Sequence, residues 1–355
     1  MMVDLLIRAG RVFCADTGRD GPGIVAVRDG RFVEADHDTP AREVMEFPDG
    51  VLLPGLVDMH AHPARGGSKY GICPDRYMLP SGVTTVLSQG DAGALTWPAY
   101  REDVVRACRT RVRMALNISA RGEATPVACY GDPADIDVAA CVATLAENDA
   151  ALWGISVNLS RFSCGATDPR LVFARALEAA ERSGKPLLFG AREAVDWPLA
   201  DQLARLRPGD VVTYCYMASR NLVEDRWRVN PGARAARARG VLFDVGHGTA
   251  AYDGDVARVA IAEGFPPDTV SSDLYIAHLA RPRRHDLPSV ISELIDAGLP
   301  ERDAFTAATL RPATLLGLAG EIGTLAPGAC ADLAVLKRVD GIWQAIHTWR
   351  AGKAC

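Results

Sequence analysis

Long apolar runs are absent from this sequence of 355 residues. No stretch approaches the ~18 consecutive apolar residues of a membrane span. The N-terminal MMVDLLIRAGRVF is broken by Asp4 and Arg8 where a signal-peptide core would lie, so a cytoplasmic protein with no membrane partner is expected. A dense basic tract is missing too. The net charge is −5, and the short cluster Arg281, Arg283, Arg284 has no interleaved aromatic residues, which argues against a nucleic-acid partner. None of the nine cysteines forms a C-x-x-C pair, and their number is odd. In a chain long enough to bury its own core they read as reduced thiols acting as small hydrophobes, not as a disulfide framework. The remaining composition, 48% apolar and 23% charged, is that of a globular protein. The length suits one barrel of roughly 250 residues with added structure.

Both ends of the chain read as β. GIVAVRDGRFVEA carries an Asp29-Gly30 turn between two alternating runs, a hairpin signal. Near the C-terminus, EIGTLAPGACADLAVLKR and GIWQAIHTWRAGKAC have strand composition with Gly and Pro turns. Residues 1–50 and 320–355 are therefore expected to pair into one small β-sandwich. Residues 51–319 alternate instead. The apolar runs are VLLPGLVDMH, GVTTVLSQ, RVRMALNIS, ALWGISVNLS, KPLLFGA, DVVTYCYM, GVLFDVGHG and DTVSSDLY, with amphipathic stretches between most of them. In DPRLVFARALEAAERSG, Asp168 is placed to cap a helix, Leu171, Ala174, Leu177 and Ala180 recur every three residues, and Gly184 ends it. PGARAARARG and GDVARVAIAEG read as further helices. Eight strands alternating with helices predict an α/β fold, a (β/α)8 TIM-like barrel, with functional residues at the C-terminal strand ends.

His60 and His62 close the first run. Residues i and i+2 of a strand share a side, so both imidazoles can reach one point. Asp273 ends the eighth run, and in a closed barrel the first and eighth strands are neighbours. Two imidazoles and a carboxylate, with water as fourth ligand, suit a mononuclear metal centre.

These residues, with PGLVDMHAH after a β N-terminal region and the closing GEIGTLAPGACADLAVL, make the chain resemble the amidohydrolase superfamily of metal-dependent hydrolases. Within it the chain is most similar to a bacterial deacetylase-like group related to dihydroorotases and D-aminoacylases. GGSKYGICPDRYMLPSGVTTVLSQGDAGA, RVRMALNIS, RPGDVVTYCY, ARARGVLFDVGHG and GFPPDTVSSDLY carry the resemblance through nearly the whole chain. It implies a TIM-like barrel with a small β-sandwich from both termini. It also implies two divalent metals, held by H-x-H on the first strand, a carboxylated lysine on the fourth, histidines on the fifth and sixth, and an aspartate on the eighth. His60, His62 and Asp273 match. Ser156 stands at the lysine position, Gly190 at the fifth-strand histidine and Tyr214 at the sixth-strand histidine. The altered positions are those that hold the second metal. The resemblance thus implies a site reduced to one divalent metal, Zn²⁺ being the expected ion and a metal-free protein left open, with Asp273 also the general base.

Tyr214 could donate to an oxyanion or act as a general acid, or only fill the space of the lost metal. Arg192, beyond Gly190, is placed to bind a substrate carboxylate. Cys73 and Cys164, in loops after the first and fourth strands, are candidate soft ligands or nucleophiles, against a reading as inert thiols. His247 lies in a G-H-G that the family shares, which implies a binding or proton-transfer role. His278, after the eighth strand, is a candidate to face the pocket, and Arg161 and Tyr70 match the family as candidate substrate contacts. The expected function is hydrolysis of an amide, cyclic amide or ester of a small acid, with a small molecule as substrate. A repurposed isomerase, cyclase or lyase using Tyr214 and Asp273 is the alternative, and a non-catalytic binding relative the third. The resemblance leaves a homo-oligomer open.

Overall fold

The computed structural model describes residues 2–147, 150–224 and 227–355. The chain first lays down strands β1 (Val3–Cys14), β2 (Arg19–Arg28), β3 (Arg31–Val33) and β4 (Ala41–Pro54). Then come β5 (Leu56–Ala61), β6 (Val83–Gly93), β7 (Arg111–Asn117), β8 (Leu152–Asn158), β9 (Leu187–Gly190), β10 (Val211–Thr213), a short ribbon of β11 (Val223–Glu224) and β12 (Arg228–Val229), and β13 (Leu242–Phe243). Strands β14 (Leu333–Val339), β15 (Ile342–Arg350) and β16 (Lys353–Ala354) return at the C-terminus.

Antiparallel pairing of β14 with β4 joins the two chain ends in one seven-stranded sheet of order β16-β15-β14-β4-β1-β2-β3. The β2–β3 hairpin turns at Asp29 and Gly30, both with positive φ (51° and 73°), as a type I′ turn requires. The sheet wraps its own apolar core, where Ile7, Val12, Phe32, Leu52, Val335 and Trp349 are buried, and forms the small β-sandwich. The run VLLPGLVDMH is shared between the two layers. Leu53 and Pro54 pair with Ala334 and Leu333 of β14, whereas Leu56 already pairs with Val83 of β6.

Strands β5 to β10 and β13 form a parallel sheet of order β13-β10-β9-β8-β7-β6-β5. The eighth run, DTVSSDLY, closes it without becoming a continuous strand. Thr269 bridges Asp244, Leu274 bridges Ala61, and Asp273 N donates to His60 O at 2.7 Å. Asp273 has φ 47°, a left-handed conformation that interrupts extended pairing. Val57, Met59, Leu87, Leu188 and Val211 pack on Ala313 and Ile322, so the barrel is a filled core, not a pore.

Helices cover the outside. Helix Pro169–Ser183 begins at Asp168, whose side chain accepts from Arg170 N, and ends at a left-handed Gly184. Its buried face is Val172, Phe173, Ala176, Ala179 and Ala180. Of the series Leu171, Ala174, Leu177 and Ala180, only Ala180 belongs to it, because a strict spacing of three drifts around a helix of 3.6 residues per turn. Phe173 stacks on Phe189 of β9 with ring centroids 4.7 Å apart. PGARAARARG and GDVARVAIAEG form helices Pro231–Ala238 and Gly254–Ala262. Among the described residues no helix is long and apolar enough to cross a membrane.

Candidate metal centre

His60 lies in β5, His62 just past its end, and Asp273 in the segment that closes the barrel. Their Nε2 atoms are 3.2 Å (His60) and 3.4 Å (His62) from Asp273 Oδ1. Among the described residues, this is the cluster of His, Cys, Asp and Glu whose ligand atoms all lie within 4.8 Å of one another, and all three residues are buried.

The far side of each imidazole is anchored. His60 Nδ1 is 2.7 Å from Thr213 Oγ1, which donates its single hydrogen to Asp244 Oδ2. Thr213 must then accept from His60 Nδ1–H, and Nε2 faces Tyr214 and Asp273. His62 Nδ1 lies 2.9 Å from Asp91 Oδ1, and Ser88 Oγ holds the other carboxylate oxygen at 2.6 Å. Both Nε2 atoms and a carboxylate oxygen therefore converge on one point. Asp273 Oδ1, though buried, has no hydrogen-bond partner among the described residues. The edges of a tetrahedron with ligands at zinc distances are roughly 3.3–3.4 Å long, so the observed separations fit one ion. Anchored Nδ1–H groups are the usual support of metal-bound histidine.

Charge points the same way. Burial opposes protonation of His62, but Asp91 and Asp273 overcome it and raise its pKa to about 10. Burial also opposes the Asp273 carboxylate, yet His60 and His62 hold it below its usual range. The spot favours positive charge, for which a metal ion and a proton compete.

Two residues reach the centre through left-handed backbone. Thr213 faces inward to His60, so on a regular strand Tyr214 would face outward. Its φ of 61° turns it back, and its hydroxyl comes to 3.2 Å from His60 Nε2. Asp273, at φ 47°, is the second. Each such residue costs about 1–3 kcal/mol, strain that collects at functional sites. Gly248 makes room for it: a Cβ there would lie 2.1 Å from Asp273 Oδ2. Gly246, with φ 53°, approaches Thr213 Oγ1, which would be 2.3 Å from its Cβ. Burial pushes the Tyr214 hydroxyl well above its ordinary pKa, with the Asp273 charge adding to it, so it keeps its proton.

A cavity of about 110 Å³ opens on the centre between Tyr70, Glu123, Asn158, Phe162, Tyr214 and Tyr275. Tyr70 was expected there, and its ring is 4.8 Å from that of His62. Glu123, Asn158 and Tyr275 went unseen in the sequence because nothing in their local pattern marks them. Glu123 is paired with Lys69 at 2.8 Å.

Other candidates are placed elsewhere. His247 turns away from the ligands: its Nε2 meets Glu293 Oε2 at 2.8 Å and its ring stacks on Tyr252 at 4.1 Å. The flanking glycines, not the imidazole, touch the centre. His278 stacks on His285 at 3.8 Å, with Nε2 3.1 Å from Thr249 Oγ1, and buttresses Tyr275 from behind. Arg192 is occupied, with Nε 2.7 Å from Asp196 Oδ2 and Nη1 3.2 Å from Leu159 O. Arg161 bonds the same carboxylate, whose pKa falls to about 2 under the hydrogen bonds of Arg161 and Arg192. Cys73 sits before helix Pro74–Tyr77, away from the cavity lining. Cys164 is packed in the barrel core, where burial pushes its thiol up to about 12. That is no reactive cysteine. Cys215, next to Tyr214, is buried in the same core.

A barrel with a two-ended β-sandwich and a His-x-His plus Asp set at its strand ends defines a hydrolase class. No protein-family model matches the chain. A deacetylase of Agrobacterium fabrum is 31% identical over 336 residues, covering 91% of this chain and 78% of the relative. A deacetylase of Brucella anthropi is 30% identical over 302 residues, covering 81% and 72%. Among solved structures, an adenine deaminase superposes with a TM-score of 0.87 at 24% identity over 99% of each chain. A dihydroorotase does so with 0.84 at 24% identity over 99% of this chain and 98% of its own. The chain belongs to the amidohydrolase superfamily, in the group of these bacterial deacetylases.

Proposed function

We propose that the protein is a deacetylase-type hydrolase that works with a single divalent ion, Zn²⁺, held by His60, His62 and Asp273, and cleaves the acyl C–N bond of a small molecule. The observation that carries this reading is the convergence of two Nε2 atoms on Asp273 Oδ1, at 3.2 and 3.4 Å, with both Nδ1 atoms anchored behind them. Two further points support one ion over two. The Tyr214 hydroxyl stands beside His60 where the resemblance expects a ligand of the second metal. Ser156 and Gly190 offer no strong ligand at the other two positions.

When bound, the ion supplies Lewis acidity, polarising the acyl carbonyl and acidifying water. The protein supplies the rest. Asp273, held ionised, takes the proton of the attacking water and passes it to the leaving nitrogen as the C–N bond breaks. Tyr214, held protonated, donates its hydrogen to the carbonyl oxygen as negative charge develops there. Tyr70 and Tyr275, with ring centroids 5.6 Å apart, wall the cavity and exclude bulk water. Its volume of about 110 Å³ is well below the roughly 300 Å³ at which drug-sized pockets begin, which suits a small acyl group such as acetyl.

Elemental analysis of protein purified without chelator should find about one Zn²⁺ per chain. His60→Ala and Asp273→Ala should lose it together with hydrolysis of N-acetyl amino acids. Two ions per chain would overturn the single-ion reading. Turnover that survives complete metal removal would overturn the metallohydrolase and leave chemistry by Tyr214 and Asp273 alone.

A further inference from the structure

Gln89 lies in β6 beside the metal ligands. Ala61 pairs with Ser88 in the β5–β6 register, so His62 and Gln89, the next residue of each segment, stand at neighbouring strand ends. Both line the cavity over the centre. Gln89 is 4% exposed, yet among the described residues its side-chain amide has no hydrogen-bond partner. A buried amide in that state is costly unless something in the cavity completes it.

A second amide borders the same space. Asn158, the last residue of β8, also lines the cavity. Its Oδ1 accepts from Ser160 N at 3.1 Å, which leaves Nδ2 as a donor without a partner among the described residues. Gly190 makes room for it: a Cβ there would lie 2.9 Å from Asn158 Oδ1 and 3.0 Å from Cγ. Gly90, left-handed at φ 74°, passes close to Ser156, whose Oγ would be 2.9 Å from its Cβ. Ser156 and Gly190 are the positions where the resemblance expects ligands of a second metal. Small residues there let Asn158 and the backbone after Gln89 close in.

The lining narrows the choice of ligand. Among the described residues it holds no Lys or Arg, and its acids are Asp273 and Glu123, the latter matched by Lys69. Such walls favour a neutral group over an anion. Gln89 offers both an acceptor and a donor, and Asn158 a donor. A trans amide points its C=O and its N–H in opposite directions, which walls on different strands can meet. An ester lacks the N–H and would leave Gln89 Oε1 buried and unpaired.

We propose that Gln89 and Asn158 form a subsite that selects amides. Gln89 Oε1 accepts the N–H of the substrate, and Asn158 Nδ2 donates to the acyl oxygen beside the Tyr214 hydroxyl. The protein therefore takes N-acyl compounds and rejects the corresponding esters. This rests on the deacetylase reading for the bond broken, but not for the binding of the amide.

The test reads binding apart from turnover. Thermal melting of the full chain, as purified, is followed with N-methylacetamide and with butan-2-one, which has the same shape and carbonyl but CH2 in place of N–H. The wild type should bind the amide at least about 10-fold more tightly. Gln89→Met keeps the volume, loses the acceptor and should bind the two alike. Without ligand it should melt at the wild-type temperature or above it, because an unpaired buried amide is gone. Gln89→Glu keeps the acceptor and should keep the preference. Asn158→Asp keeps the bond to Ser160 N, loses the donor and should weaken both ligands together. Equal binding of the two ligands by the wild type, or no binding of the amide, overturns the proposal. So does a preference that survives in Gln89→Met. If that variant does not fold, loss of the preference in Gln89→Glu overturns it. Wild-type affinity in Asn158→Asp removes Asn158 from the subsite. A protein that binds N-methylacetamide through Gln89 but hydrolyses nothing fails the deacetylase reading and not this one.

Discussion

Gly248 acts on the centre through the side chain it lacks, because a Cβ would lie 2.1 Å from Asp273 Oδ2. Gly248→Ala should displace the carboxylate and lower kcat about 100-fold, as a misplacement near 1 Å does. Circular dichroism should stay native, and a variant of undiminished kcat would refute the role. The anchors behind the imidazoles give a second expectation. Asp91→Asn and Thr213→Val should each weaken metal affinity roughly 10- to 100-fold, measured by competition with a chromophoric chelator. His60, His62 and Asp273 were legible in the sequence because a spacing of two and a position at strand ends bring them together in any closed barrel. Asp91, Thr213 and Asp244 were not, since each comes from a different strand and its partner is chosen only by closure. The G-H-G drew attention to the wrong residue: His247 is bound to Glu293, and the glycines touch the site.

At the scale of elements, helix Pro169–Ser183 shows which local signals hold. Its ends were legible, because Asp168 and Gly184 satisfy orphan backbone groups by chemistry local to the chain. Its buried face was misjudged, because a spacing of three and the helical period part company within two turns. Phe173, stacked on Phe189, should cost about 3–5 kcal/mol when replaced by alanine. Leu171→Ala, at an exposed position, should change stability by no more than about 0.5 kcal/mol. Urea denaturation compares the two directly, and equal losses would restore the three-residue face. The closing segment teaches a different lesson. Its apolar pattern was visible, but the left-handed turn at Asp273, φ 47°, reduces the strand to bridges, and no residue type announces that turn.

For the molecule as a whole, acid should loosen the wall behind the cavity. Burial, with His285 next to it, depresses His278 to about 3, and burial lowers His285 as well. An unfolded histidine titrates near ~6.5, so below that pH the unfolded chain binds more protons than the native one. The contribution of this pair is therefore complete above about pH 6.5 and is lost as pH falls toward 3. The urea midpoint should drop between pH 7 and pH 5, and the drop should shrink in His278→Gln. A midpoint equally pH-dependent in that variant would place the sensitivity elsewhere. The same chain-wide connection explains the sandwich. Strand β4 hands the chain to β5 across Gly55, and β14 returns to pair with β4, so the two ends brace the strand that carries His60.

The sequence by itself determined the α/β barrel, the β character of both ends, the hairpin at Asp29-Gly30 and the triad of His60, His62 and Asp273. Each follows from periodicity, turn chemistry or position at a strand end, and these act over a few residues. Only the tertiary structure decided that Tyr214, expected at the site, reaches it through left-handed backbone, that His247 turns away, that Asp91 and Thr213 orient the imidazoles, and that Asp196 occupies Arg192. Those outcomes depend on left-handed backbone and on partners from distant strands, and burial makes each pairing matter because water is not there to replace a missing partner.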